Sequence, residues 1–341
     1  MVRDGNHVGS DRARLPAGAS RQDGGVRPVV VVGAGIAGVS CARELTARGL
    51  PVQLRERSYV PGGRIASRTL HGRKVDLGAS YLTCRTPDFQ QVVDSWLDRG
   101  LAHRWTDRFA VRDAGGWRES SAGQVRYGAA GGLRALVEDL ATGLDVVTRT
   151  EVCDIGPGPT VDGERASAVV LAMPDPQAAD LLADELAAEV EAVRDRESLP
   201  ALALAAGWPR PEWPDVDGVF VGDDPVLSWV ADDGRRRGDG AAVLVAHTTA
   251  GFAAPRLDGP QAAAEPVLAA LLRVLEIETR PDWVFLHRWS LSRPAEPHGE
   301  PYHLGDAMVG LCGDGWWGPP RVETAWASGR ALGRALADRL A

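Results

Sequence analysis

Residues 29–50 read VVVVGAGIAGVSCARELTARGL, and the fold follows from this stretch. Val29, Val30, Val31 and Val32 form an unbroken β-branched run, the pattern of a parallel strand buried on both faces. Gly33, Gly35 and Gly38 then spell G-x-G-x-x-G where the pattern turns helical over 36–48, and a second short strand at 51–55 completes a β-α-β unit. In such a unit the first glycine permits a tight turn, the second lets backbone approach a pyrophosphate, and the third lets helix pack on strand. The helix N-terminus then faces the phosphates. Glu56 ends the second strand, 18 residues past Gly38, where a carboxylate can accept hydrogen bonds from both ribose hydroxyls of an adenosine. A glycine-rich turn in an ordinary α/β protein is the competing reading. It leaves the strand, the spacing and the acid unexplained together.

Whether the dinucleotide carries nicotinamide or flavin turns on two further segments. Pro61, Gly62, Gly63 and Arg64 offer a second glycine turn and a guanidinium suited to phosphate charge. Near the other end, Gly313 and Asp314 close an apolar strand at 308–312, and a helix over 321–340 follows. Asp314 can bind a ribityl hydroxyl, and the positive end of that helix can stabilise charge on a reduced isoalloxazine. An extended cofactor such as FAD needs this second contact region.

Composition excludes several other classes. The net charge of −8 and pI near 5.5 leave no basic excess for nucleic acid or an anionic membrane. No apolar run approaches the roughly 18 residues of a membrane span, and the first 27 residues lack the apolar core of a signal peptide. Cys41, Cys84, Cys153 and Cys312 are scattered without a C-x-x-C pair, so no metal site and no disulfide framework is expected, and a reducing cytoplasm fits. Cys312 precedes Gly313 and is a candidate for covalent flavin attachment. It reads instead as a small buried residue, so the FAD is expected to be non-covalent.

The segments LRERSYVPGGR at 54–64 and GDGWWGPPRVETAWASGRALG at 313–333 resemble the FAD-dependent amine oxidase superfamily. Within it, VDLGASYLTCRTP at 75–87, LAMPDP at 171–176 and LVAHTT at 244–249 are similar to renalase and its bacterial relatives. The resemblance runs from about Pro28 to the C-terminus. It implies a Rossmann-like FAD-binding domain, discontinuous over 28–79, 130–175 and 303–341, with an α+β substrate domain inserted at 80–129 and 176–302. Residues 1–27 are expected to be a disordered extension. It further implies FAD contacts from Gly33, Gly35, Gly38, Glu56, Arg57, Gly63, Arg64, Gly78, Ala79, Val152, Gly313, Asp314 and Val322. Tyr81, His247 and Trp289 would lie near the substrate. The implied activity takes hydride from dihydronicotinamide dinucleotides reduced at ring position 2 or 6, restores NAD(P)+ and yields hydrogen peroxide from dioxygen. The chain departs from the pattern at Ser80, where glutamine is expected, and in the short stretch 153–168. That stretch lacks room for the usual hairpin, so a truncated element is expected there.

Hydride transfer needs a donor carbon held against the flavin by apolar and aromatic walls, and no dedicated acid or base. Trp105, Trp229 and Trp289 are candidates to stack on a nicotinamide ring, although among eleven tryptophans core packing is the commoner role. His247, ending an apolar strand, is either a carboxamide donor or a structural histidine. Arg235, Arg236 and Arg237 either meet substrate phosphates or form a solvated loop. An amine or polyamine oxidase is the alternative, and many such enzymes place a lysine near flavin N5. The only lysine here is Lys74, outside the stretch 176–305. A carotenoid-type desaturase would want a long apolar tunnel and often a membrane-dipping segment, neither visible in this sequence, and a non-catalytic FAD or dinucleotide binder stands as the remaining reading.

The remaining chain reads as a helix over 89–98, strands at 108–112 and 117–119, a helix ending at 140, and strands at 145–147 and 168–172. A helix over 178–194, strands at 202–205 and 242–247, and a helix over 262–275 complete it.

Overall fold

The computed structural model describes residues 26–119 and 122–341; most of the N-terminal extension expected at 1–27 lies outside them. Val29–Val32 is the centre of a six-stranded sheet, flanked in parallel by Val52–Glu56 on one side and Ala168–Leu171 on the other. Asp145–Thr148 and Val309–Leu311 extend it in parallel, and His303–Leu304 closes one edge antiparallel. The four valines are buried on both faces, which is why they need not alternate with polar residues. The helix Ile36–Ala47 covers one face and packs on the C-terminal helix Val322–Leu340. Gly329 allows that approach: a Cβ there would lie 1.9 Å from the carbonyl oxygen of Ala37.

The second sheet has seven strands, in the order Trp283–Pro294, Ser198–Gly207, Val243–Thr248, Leu227–Asp232, Gly218–Val221, Ala110–Asp113, Gly116–Glu119. Alternation along Ser198–Gly207 sorts its faces. Leu202, Leu204 and Ala206 pack under the helix Ala264–Leu275, while Ala203 and Ala205 face the hairpin Ser67–Leu70/Arg73–Asp76 of the first domain. The sequence shows only parts of this sheet. Trp283–Pro294 mixes exposed and buried residues, and Gly218–Val221 is short and glycine-led, so neither stands out as a strand alone.

Two expectations are corrected. The stretch 153–168 is not truncated: Ile155–Gly156, Thr160–Val161 and Glu164–Arg165 form a complete three-stranded meander. Two-residue strands joined by tight turns, with Asp162 and Gly163 at positive φ, compress it. The single helix expected over 178–194 is two, Asp175–Ala179 and Ala187–Val193. Between them Leu181 and Ala183 exchange backbone hydrogen bonds with Ile155, and this sheet-like pairing outcompetes helix continuation.

Packing shows which core two flanking segments cover. Ala178, Leu182, Leu186 and Val193 pack with Val30, Val32 and Val169, so 176–193 covers the first sheet rather than joining the second. Likewise Phe89, Val93 and Trp96 of the helix Pro87–Asp98 enter the core built on Ile36, Leu45 and Trp326. Chain order and packing disagree here because an amphipathic helix buries its stripe on whichever apolar face is nearest.

Candidate active site

One cavity of about 2010 Å³ runs between the two sheets. Of the residues expected near the cofactor, Gly33, Gly35, Glu56, Arg57, Gly63, Arg64, Gly78, Ala79, Val152, Gly313, Asp314 and Val322 all line it, and Gly38 lies just behind. The three glycines of the fingerprint differ in what they exclude. At Gly33 (φ +100°) a Cβ would meet the Ala172 carbonyl oxygen at 2.6 Å, and at Gly38 it would meet the Gly33 carbonyl oxygen at 2.0 Å. Both therefore serve close packing. A Cβ on Gly35 would find no protein atom nearer than 4.0 Å and would project into the cavity, so that glycine keeps space clear for a ligand.

Glu56 is buried and held by both oxygens: the Ala34 N–H donates to Oε2 and the Ser58 N–H to Oε1, each at 2.8 Å. The carboxylate is thus locked in place with lone pairs remaining for ribose hydroxyls. Val152, at the same end, has a backbone N–H and carbonyl without hydrogen-bond partners among the described residues. The last helix starts at Val322 with no side-chain cap on its first turn, leaving backbone N–H groups directed at the cavity. Arg64 is placed differently from expectation. Its guanidinium pairs with Asp314 at 2.5 Å, so each of the two residues neutralises the other across the cofactor side of the cavity.

The opposite wall is the face of the seven-stranded sheet. Ala201, Trp229, His247, Phe285, His287 and Trp289 present it, and alternation aligns Phe285, His287 and Trp289 on one side of their strand. Trp289 is fixed by its indole N–H, which donates to the Leu77 carbonyl at 2.8 Å. Trp229 is fixed in the same way by Ser80 Oγ at 3.0 Å, so the serine found where glutamine was expected orients an aromatic wall. Burial and the Arg236 charge push His247 down to about 4, and burial with the Arg68 and Arg288 charges pushes His287 down to about 4. Both imidazoles are neutral at physiological pH. Tyr81 lies against Phe109, Trp229 and Trp105, with ring centroids 5.2, 5.9 and 6.4 Å apart. Trp105 is not on the cavity wall: it packs behind Tyr81 against Phe109, which removes it as a stacking residue.

Charge divides the cavity. Its acidic residues, Glu56, Glu151, Asp180 and Asp314, all sit on segments that belong to the first sheet. Among the described residues, the sheet-and-hairpin side carries Arg68, Lys74, Arg288 and Arg293 and no Asp or Glu. The single lysine, expected to lie beside the cofactor motifs, is an exposed residue of this rim.

The run Arg235–Arg237 is neither a solvated loop nor a phosphate site. It forms a short helix, Asp233–Arg237, capped by Asp232, in which Arg236 is fully buried and paired with the fully buried Asp233. Arg236 also donates to the backbone carbonyls of Asp76 (2.9 Å) and Ser80 (3.2 Å), and Arg73 pairs with Asp233 at 2.5 Å. This buried network ties the second domain to the loop holding Gly78 and Ala79. Only the fold brings Asp76 and Arg236 together, so the sequence held no signal for it. Cys312 is buried, and burial pushes its thiol up to about 12.

Comparison with known proteins places this geometry. Residues 31–96 match the NAD(P)-binding Rossmann-like domain, and residues 114–331, more than half of the chain, match the flavin containing amine oxidoreductase family. The chain belongs to that family. Its cofactor is FAD. The fold of this family member is shared with a putative protoporphyrinogen oxidase from Exiguobacterium sp. 255-15 (TM-score 0.74, 14% identity, 92% of this chain and 100% of that one). It is shared as well with cyclohexylamine oxidase from Brevibacterium oxydans IH-35A (TM-score 0.72, 13% identity, 93% and 100%). Among curated relatives, hydroxyneurosporene desaturase of Rubrivivax gelatinosus is 47% identical over 57 residues, 17% of this chain and 11% of that protein. Phytoene dehydrogenase of Streptomyces griseus is 40% identical over 96 residues, 26% and 18% of the two chains. The alignments therefore span less than a fifth of these relatives. No described helix is long and apolar enough to cross a membrane. The open space before Gly35, the unpaired Val152 backbone and the uncapped helix at Val322 all fit the flavin dinucleotide.

Proposed function

We propose that this protein is an oxidase that takes hydride from dihydronicotinamide dinucleotides reduced at ring position 2 or 6, releasing NAD(P)+. Bound FAD would supply a two-electron acceptor for that hydride; with dioxygen as the oxidant, the two electrons, the proton delivered with the hydride and one proton from solvent would leave as hydrogen peroxide. The observation that carries this reading is the acid-free wall. Its aromatic rings suit a flat donor that becomes cationic as hydride leaves, and Arg68, Lys74 and Arg288 suit a substrate that carries phosphate. A protonated amine or polyamine would meet repulsion on the same wall with no carboxylate to receive it.

The chain's own part is positioning. Gly35, on the turn that Gly33 and Gly38 hold tight, seats the FAD pyrophosphate, Glu56 its ribose, Val152 its adenine edge and Asp314 with Arg64 the ribityl chain, while the helix at Val322 faces the flavin ring. Arg57, Gly63, Gly78, Ala79 and Gly313 complete the cradle. Trp289, Trp229 and Tyr81 exclude water, and neutral His247 offers a hydrogen bond to the carboxamide. The donor ring nitrogen expels the hydride, so no general base is called for. Four free cysteines accord with a cytoplasmic setting.

Anaerobic stopped-flow mixing of the FAD-loaded protein with 2- and 6-dihydro-NAD(P), 4-dihydro-NADH and a monoamine tests this. Bleaching of the flavin by the 2- or 6-isomers alone is expected. Bleaching by the monoamine alone would make the protein an amine oxidase, and no bleaching at all a non-catalytic flavin binder.

A further inference from the structure

Arginine is the chief cation of this chain and is commonly ion-paired, as in Arg64–Asp314, Arg99–Asp139 and Arg236–Asp233. Arg126 is an exception. Its Nε and Nη1 are buried and have no hydrogen-bond partner among the described residues. The guanidinium carbon rests 4.3 Å from the centroid of Phe109, which fixes the plane of the group without neutralising it. Arg126 also lies against the Tyr81 phenol, and Arg321 bears on the same phenol from the start of the last helix. Arg126, Tyr81 and Arg321 all line the cavity. Buried donors on a charged group are costly when left unpaired, so a cavity that keeps them is shaped for a ligand supplying the acceptors.

The position separates this corner from the other cations. Arg68 and Lys74 sit on the hairpin and Arg288 on the edge strand Trp283–Pro294, and all three are exposed. They can attract an anion from solution but not orient one. Arg126 rests on Phe109, which packs on Trp229 and Phe220, residues of the fourth and fifth strands counted from that edge. There the donors are rigid and partly withdrawn from water, the conditions under which a guanidinium selects an oxyanion by geometry.

We propose that Arg126, with Arg321 and the Tyr81 hydroxyl, forms an oxyanion subsite that receives the pyrophosphate of the substrate and makes this protein specific for dinucleotides over neutral dihydronicotinamides. The identity of the anion rests on the function proposed above; the subsite itself rests on the unpaired donors.

The test is a binding titration of the FAD-loaded protein with NAD+, nicotinamide riboside and inorganic pyrophosphate, read by perturbation of the flavin absorbance. In Arg126→Gln, affinity for NAD+ and for pyrophosphate should fall on the order of 10- to 100-fold, with the riboside changed by less than about twofold. Arg126→Lys should recover part of the loss, and Arg321→Gln should show a smaller loss in the same direction. Unchanged NAD+ and pyrophosphate affinity in Arg126→Gln would overturn the proposal, as would equal weakening of NAD+ and the riboside. If Arg126→Gln does not fold, unchanged affinity for both anions in Arg126→Lys and Arg321→Gln together overturns it. The assay needs no turnover. Failure of the dihydronicotinamide reading appears separately, as an unbleached wild-type flavin, and the pyrophosphate titration still decides the subsite.

Discussion

The two sides of the cavity are built on opposite principles. The cofactor side is made of backbone and empty space: glycines, helix starts and one carboxylate clamped by two N–H groups. The substrate side is made of side chains, aromatic and cationic, projecting from strands far apart in sequence. On the first side adding atoms does harm, whereas on the second removing charge or rings does. The dinucleotide cradle is therefore expected to fail abruptly under substitution, and the wall to be tuned by degrees.

The sharpest way to break this contrast is within the fingerprint. Gly38→Ala should disrupt the fold around the first helix, because the new Cβ would lie 2.0 Å from a backbone oxygen. Gly35→Ala should leave the melting temperature of the FAD-free protein unchanged while abolishing FAD retention, since its Cβ meets only cavity. Equal loss of apoprotein stability in both variants would show that Gly35 serves packing and not the ligand. Glu56→Ala should weaken FAD by about 1–3 kcal/mol, the scale of charge-assisted hydrogen bonds, measured as flavin occupancy after dialysis. Occupancy equal to wild type would remove Glu56 from the cradle.

On the other wall, Arg68→Gln and Arg288→Gln should each raise the KM for the dinucleotide a few-fold, flatten its dependence on salt and leave FAD occupancy alone. A fall in FAD occupancy would erase the division between the two sides.

At His247 the expected effect is on stability rather than on binding. Its folded pKa, pushed down to about 4, lies below the ordinary value near 6.5, so the unfolded chain binds the proton more readily. Its contribution to stability is complete above about 6.5 and is lost as pH falls toward 4, amounting to about 1–3 kcal/mol across that window. Melting temperature followed from pH 7 to pH 4 should fall less steeply in His247→Gln than in wild type. Parallel curves would show that the imidazole is not held neutral by the fold.

The same contrast explains what could be read in advance. The strand of four valines, the glycine spacing, Glu56 and the glycine-aspartate turn before the last helix are short-range patterns, and the structure gathers them around one cavity. The Arg236 network, the Arg64–Asp314 pair and the position of Trp105 behind Tyr81 join residues from 24 to 250 positions apart, which no local pattern encodes. Segment 153–168 is too short for three strands of ordinary length, yet it holds three. Two-residue strands suffice where turns at positive φ supply the reversals.

What the amino-acid sequence determined by itself is the dinucleotide half of this protein: its central strand, its cradle and, through family resemblance, its cofactor. Local backbone geometry is set by neighbouring residues, and glycines at fixed spacing leave it few alternatives. Only the tertiary structure decided which strands make the facing wall, that this wall carries arginine without acid, and that the helix Pro87–Asp98 covers the first domain. Those outcomes depend on which apolar faces meet, and burial is non-directional, so many chain orders can satisfy it equally well.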